Sequence, residues 1–219
     1  MNTTVPLESH PRLAPQFETA EQQATTAKLG MWAFLATEVL FFGGALAGYT
    51  VYRWRYPLAW AEASQRLEIV PGTVNTAILL TSSLTMALAV DEVRRNGRRI
   101  VLYLVATIGL GTAFLGIKGW EYFEKWRDHH VPGADFDWNG AQPAGPVELF
   151  YSFYFALTGC HALHMAIGLA VLLWLCRQTV RNRFSSDYHT PIELTGLYWH
   201  FVDCVWVVLF PLLYLIDRT

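Results

Sequence analysis

The sequence predicts an all-α integral membrane bundle of five transmembrane helices, and three observations predict it. Five long apolar runs alternate with polar connections, at about residues 28-53, 72-93, 100-122, 148-176 and 193-216. The 219 residues are 53% hydrophobic and only 16% charged, whereas a soluble domain carries about 25% charged residues. Basic residues crowd into two short connections, Arg94 to Arg99 and Arg177 to Arg183, as cytoplasmic loops between spanning helices do. A formal net charge of −2 gives no reason to expect nucleic acid. Cys160, Cys176 and Cys204 have no CxxC spacing and fall in or beside apolar runs, so they read as small buried hydrophobes.

Residues 1-27 form a polar tail. Pro6, Pro11, Pro15, Glu8, Glu18 and Glu21 punctuate it, and no apolar stretch in it suits a secretory signal. Insertion is therefore expected to rely on the first helix, 28-53, with the tail left on the side of synthesis. That helix is ~39 Å long, enough to cross a ~30 Å hydrocarbon core. It carries one carboxylate, Glu38, ~15 Å from the Lys28 end. Insertion of such a group at mid-depth costs roughly 2.5 to 3.5 kcal/mol, so a polar partner is expected.

The next segment reads as a polar and aromatic loop. Pro57 and Pro71 bound it and Trp54, Tyr56 and Trp60 suit the membrane interface. In the second helix, Asn75, Thr76, Thr81, Ser82, Ser83 and Thr85 suit close helix packing in lipid. Arg94, Arg95, Arg98 and Arg99 then form a tight basic turn, expected to anchor at the cytoplasmic interface and contact lipid. The third helix has glycines at 109, 111, 116 and 119, and near its end Lys118 and Glu121, which read as charges snorkelling to the interface.

The longest connection follows, with His129, His130, Asp128, Asp135 and Asp137. Adjacent histidines in a loop lack a fixed ligand geometry, so it is read as a docking or interfacial loop. His161 and His164 share one face of the fourth helix, and His200 and Asp203 one face of the fifth. The dense short basic loops place the N-terminus in the cytoplasm and the C-terminus in the periplasm, with Arg12 and Lys28 inside and Arg53, Arg55, Lys118, Lys125 and Arg218 outside.

Measured from the cytoplasmic end of each helix, Glu38 lies at ~15 Å, His164 at ~18 Å, His161 at ~22 Å, Asp203 at ~14 Å and His200 at ~10 Å. They share one slab of membrane, with His161 and His164 as candidate partners for Glu38. Four readings stay open for this set: interhelical hydrogen bonds that specify packing, a proton path, metal or haem ligation, and ligand or lipid head-group binding. Five helices without paired halves or a broken helix pair do not make a complete secondary transporter, which points to one part of a larger assembly.

The segments TEVLFF (37-42), NTAILLTSS (75-83), GWEYFE (119-124), TGCHALHMAIG (158-168) and YWHFVDCVWVVLF (198-210) occur in order, and together they resemble subunit III of the haem-copper terminal oxidases, in its five-helix bacterial form. The resemblance implies an accessory subunit of a proton-pumping oxidase that reduces O2 to water. It would lie in the bacterial cytoplasmic (inner) membrane, directly against subunit I, with subunits II and IV as further partners and a larger respiratory supercomplex as a candidate one. It implies no redox cofactor and no catalytic or metal-binding residue in this chain, haem and copper in partner subunits, and bound phospholipid. Glu38 matches the family's carbodiimide-reactive carboxylate, and His161 and His164 the histidine pair opposite it. His200 and Asp203 match the polar pair of the last helix, while Trp54 and Trp199 join the arginines as lipid- or interface-binding residues. Lys118 departs from the uncharged residue, such as Gln, expected there. Cytochrome c is the favoured donor, ahead of quinol and of an association with nitric oxide reductase. A free-standing proton or metal transport module is the reading from a different class.

Overall fold

The computed structural model describes residues 14–181, 183–184 and 188–216. Among the described residues six helices follow one another: α1 (Ala20–Arg55), α2 (Pro57–Gln65), α3 (Ile69–Arg94), α4 (Ile100–Arg127), α5 (Ala144–Val180) and α6 (Thr190–Tyr214). All but α2 are long and apolar enough to cross a membrane, and there is no β-strand among the described residues. Arg12 and Arg218, assigned to opposite sides from the sequence, lie outside them.

The apolar runs understate the helices, because a helix continues past the hydrocarbon wherever local chemistry permits. Thr19 caps α1, its hydroxyl accepting from the Gln22 backbone N–H, so the helix starts inside the expected tail. Trp32 and Trp54 are both largely exposed and stand ~33 Å apart along α1, close to the ~30 Å thickness of a hydrocarbon core. The segment read as a loop contains α2, begun by Pro57 at its first position. Trp60, expected at the interface, is instead fully buried; its ring lies 6.1 Å from that of Tyr49 and 5.7 Å from that of Phe150. A helix in this loop turns the ring inward, where its apolar area is worth more.

Helices α3, α4, α5 and α6 close into a four-helix ring, each packed on the next and α6 back on α3, while α1 lies outside against α5 and α6. Along α1 the facing residues are Lys28, Met31, Leu35, Glu38, Phe42, Ala45 and Tyr49. They alternate steps of three and four, the seam of a left-handed helix crossing. Polar ties run along this seam: Lys28 Nζ to Glu193 Oε2 at 3.2 Å, Glu38 Oε2 to His164 Nε2 at 3.0 Å, and the Tyr49 hydroxyl to the Leu212 carbonyl at 2.5 Å.

Trp199, expected at the interface, is a core residue with no exposed surface. Two glycines make its room, since a Cβ added at Gly111 would stand 2.8 Å from the Trp199 ring and one at Gly168 2.9 Å. The indole N–H donates to Ser82 Oγ at 3.1 Å, so the ring's one polar atom is satisfied inside the bundle.

Candidate functional site

Apart from His161, the acidic, basic and histidine side chains deep in the bundle form three separate groups rather than one. The first joins α1 to α5. His164 Nδ1 is 2.8 Å from the Cys160 carbonyl and Nε2 is 3.0 Å from Glu38 Oε2. A carbonyl only accepts, so Nδ1 carries a hydrogen. A hydrogen bond on the other side then needs one proton between Nε2 and the carboxyl oxygen. The pair has zero net charge whichever atom holds that proton, which is how hydrocarbon tolerates it. The Tyr198 hydroxyl donates to the His164 carbonyl at 3.0 Å. Beside the pair runs a groove of about 480 Å³, lined by Met31, Phe34, Ile167, Val171, Thr195 and Tyr198.

His161 does not join this group. The three-residue spacing separates the two side chains by ~60° around the helix, enough to turn His161 into the bundle. There it is fully buried between Phe114, at 5.4 Å between ring centres, and Trp206, at 5.3 Å, and neither ring nitrogen has a hydrogen-bond partner among the described residues. The sequence offers both histidines as partners for Glu38; in the structure His164 stands at the carboxylate and His161 lies inside the bundle.

The second group lies on the seam between α3 and α6. His200 Nδ1 is 2.7 Å from Ser83 Oγ. Asp203, one turn on, is buried, and neither of its carboxyl oxygens has a hydrogen-bond partner among the described residues.

The third group overturns the expectation for Lys118 and Glu121. Neither snorkels, because α4 continues to Arg127 and both side chains are only 3% exposed. Lys118 Nζ donates to Glu121 Oε2 at 3.1 Å, the Tyr154 hydroxyl at 3.1 Å and the Tyr214 hydroxyl at 2.8 Å, which uses all three ammonium hydrogens. Both tyrosines donate in turn to Glu121 Oε1, at 2.7 and 2.5 Å. One turn further, Lys125 donates to the Arg66 carbonyl at 2.9 Å. A signal for this was present: Leu104, Thr107, Gly111, Phe114, Lys118, Glu121 and Lys125, all buried, follow steps of three and four, so one stripe carries the charges inward.

At the far end of the bundle Glu193 gathers Lys28, Arg94 at 2.6 Å and His189 at 3.1 Å, tying α1 and α3 to α6. Arg95 pairs with Asp91 at 3.0 Å, and Arg98, Arg99 and Trp54 are exposed. No three His, Cys, Asp or Glu side chains converge among the described residues.

The connection between α4 and α5 is well fastened. Glu62 of α2 accepts the backbone N–H groups of Ala141, at 2.6 Å, and Gln142, at 2.9 Å. The guanidinium of Arg66 lies over the Trp138 ring at 5.6 Å. His130 stacks on Tyr151 at 5.2 Å, and burial, with Lys125 as the next contribution, lowers its pKa from the usual histidine value. The docked loop thus resists a proton that a released loop accepts. Docking is unaffected well above pH ~6.5 and weakens as pH falls from there toward the lowered value. Hydrogen exchange of residues 129–137, corrected for intrinsic rates, should show faster opening at pH 5.5 than at 7.5. His130→Phe should flatten that difference, and an unchanged difference would refute the assignment.

Comparison with known proteins places this architecture. The profile described as cytochrome c oxidase subunit III matches residues 16–217. The chain is 31% identical to cytochrome c oxidase subunit 3 of Thermostichus vulcanus over 196 residues, 87% of each chain. It is 30% identical to quinol oxidase subunit 3 of Bacillus subtilis over 199 residues, 89% of this chain and 91% of that one. It is also 31% identical over 194 residues to the haem-copper oxidase subunit I+III of Aeropyrum pernix, covering 85% of this chain and 22% of that larger protein.

Proposed function

The chain belongs to the cytochrome c oxidase subunit III family, and from that premise we propose that it is an accessory subunit of a proton-pumping respiratory haem-copper oxidase. In this reading it packs directly against subunit I, where O2 is reduced, in the bacterial cytoplasmic membrane with its N-terminus inside. Subunits II and IV belong to the same complex. The relative that carries subunits I and III in one polypeptide supports the contact with subunit I. The single observation that carries a supporting rather than a catalytic role is the Glu38–His164 contact: the carboxylate of α1 is engaged by α5 at 3.0 Å and fastens a peripheral helix to the bundle. Cytochrome c is the preferred donor. The quinol oxidase relatives favour quinol as the second reading, and the donor specificity of the purified complex discriminates the two. Trp54, Arg98 and Arg99, exposed at helix ends, suit phospholipid head groups.

Glu38→Gln tests this role. Glutamine keeps one acceptor and one donor toward His164 but cannot share a proton with it. Assembly and initial oxygen consumption should stay near wild type, while activity decays faster during prolonged turnover. Wild-type durability in such an assay counts against the proposal.

A further inference from the structure

Of the three membrane histidines, two have their nitrogens confined within this chain. His161 is fully buried, and His164 is bonded on both sides, to Cys160 and Glu38. His200 is different. Its Nδ1 is bonded to Ser83, while Nε2 has no partner among the described residues, and the residue is only partly buried. It lies ten positions into a 25-residue helix, ~15 Å from one end and ~21 Å from the other, at a depth where neither water nor a lipid head group is at hand. Leu80 and Leu84 lie one turn before and one residue after Ser83 along α3, Val207 and Val208 lie two turns beyond His200 along α6, and all four are exposed apolar side chains. A hydrogen-bonding nitrogen set in an apolar face at mid-membrane is left unmatched by acyl chains, whereas a neighbouring helix supplies a partner.

We propose that the α3–α6 seam around His200 is the surface on which a membrane-spanning helix of oxidase subunit I packs, with a polar group of that helix bonded to His200 Nε2. The identity of the partner rests on the function proposed above and on the relative with subunit I in the same polypeptide; the choice of surface rests on His200 alone. Ser83 is the positioning residue: its bond to Nδ1 fixes the ring so that Nε2 faces outward.

Photocrosslinking in the intact complex tests the surface. The crosslinker p-benzoylphenylalanine is placed at Val207, two turns from His200 on the same side of α6, or at the control Val105 on the exposed side of α4. Crosslinks to subunit I from position 207 and none from 105 are expected. Crosslinks from 105 alone, or lipid adducts alone from 207, overturn the surface while leaving the proposed function standing. A complex purified through this chain that contains no subunit I defeats that function instead. His200→Leu should weaken retention of the chain through detergent washing about 3- to 15-fold, the worth of one hydrogen bond in a membrane, and His200→Gln should restore most of it. Retention equal to wild type in the folded His200→Leu chain also overturns the proposal.

Discussion

Lys118→Met is expected to destabilise the folded chain by about 3 to 5 kcal/mol, because it leaves the buried Glu121 carboxylate without its counter-charge. The two charges share one site with Tyr154 and Tyr214, and every ammonium hydrogen is used there. Methionine fills most of the volume, so the loss reports the charge and not a cavity. The double variant Lys118→Met with Glu121→Gln should recover most of the loss, since the amide oxygen still accepts from the two tyrosines and no charge remains. Thermal unfolding in detergent, read with the yield of assembled complex, measures both. A single variant as stable as wild type, or a double variant worse than the single, refutes the ion-pair account.

Trp199→Ala should lose a similar ~3 to 5 kcal/mol, the usual consequence of removing a large buried aromatic ring. The void would open between Gly111 and Gly168, which bring α4 and α5 close to the ring and have no side chains with which to refill it. An interfacial tryptophan would give a change within about 0.5 kcal/mol. The same unfolding experiment therefore separates the position the structure gives Trp199 from the one expected of it, and a shift that small would sink the core assignment.

The parts of this molecule that were legible beforehand are those where hydrocarbon leaves the chain no choice. The spanning runs follow from length and polarity, and a lone carboxylate at mid-depth in α1 required a partner at matching depth, which narrowed the search to the histidines of α5. The choice between His161 and His164 needed helix rotation that a shared face does not define. Lys118 and Glu121 were misplaced because the apolar run of α4 fades before the helix does, so charges well inside a 28-residue helix looked terminal. Trp60 and Trp199 were misplaced for a related reason: tryptophan suits both an interface and a core, and only its neighbours decide. Gly111 and Gly168 held that information for Trp199, but their pairing with it depends on the order of helices around the ring.

The bond between Glu38 and His164 also imposes a timetable on biosynthesis. The two residues are 126 positions apart, and a ribosome adds about 5–20 residues per second, so Glu38 leaves it roughly 6 to 25 s before His164 does. Throughout that interval α1 has neither the imidazole nor the α5 and α6 surfaces it will rest on. This helix is thus made well before its place exists, and the insertion machinery must shelter Glu38 until α5 arrives.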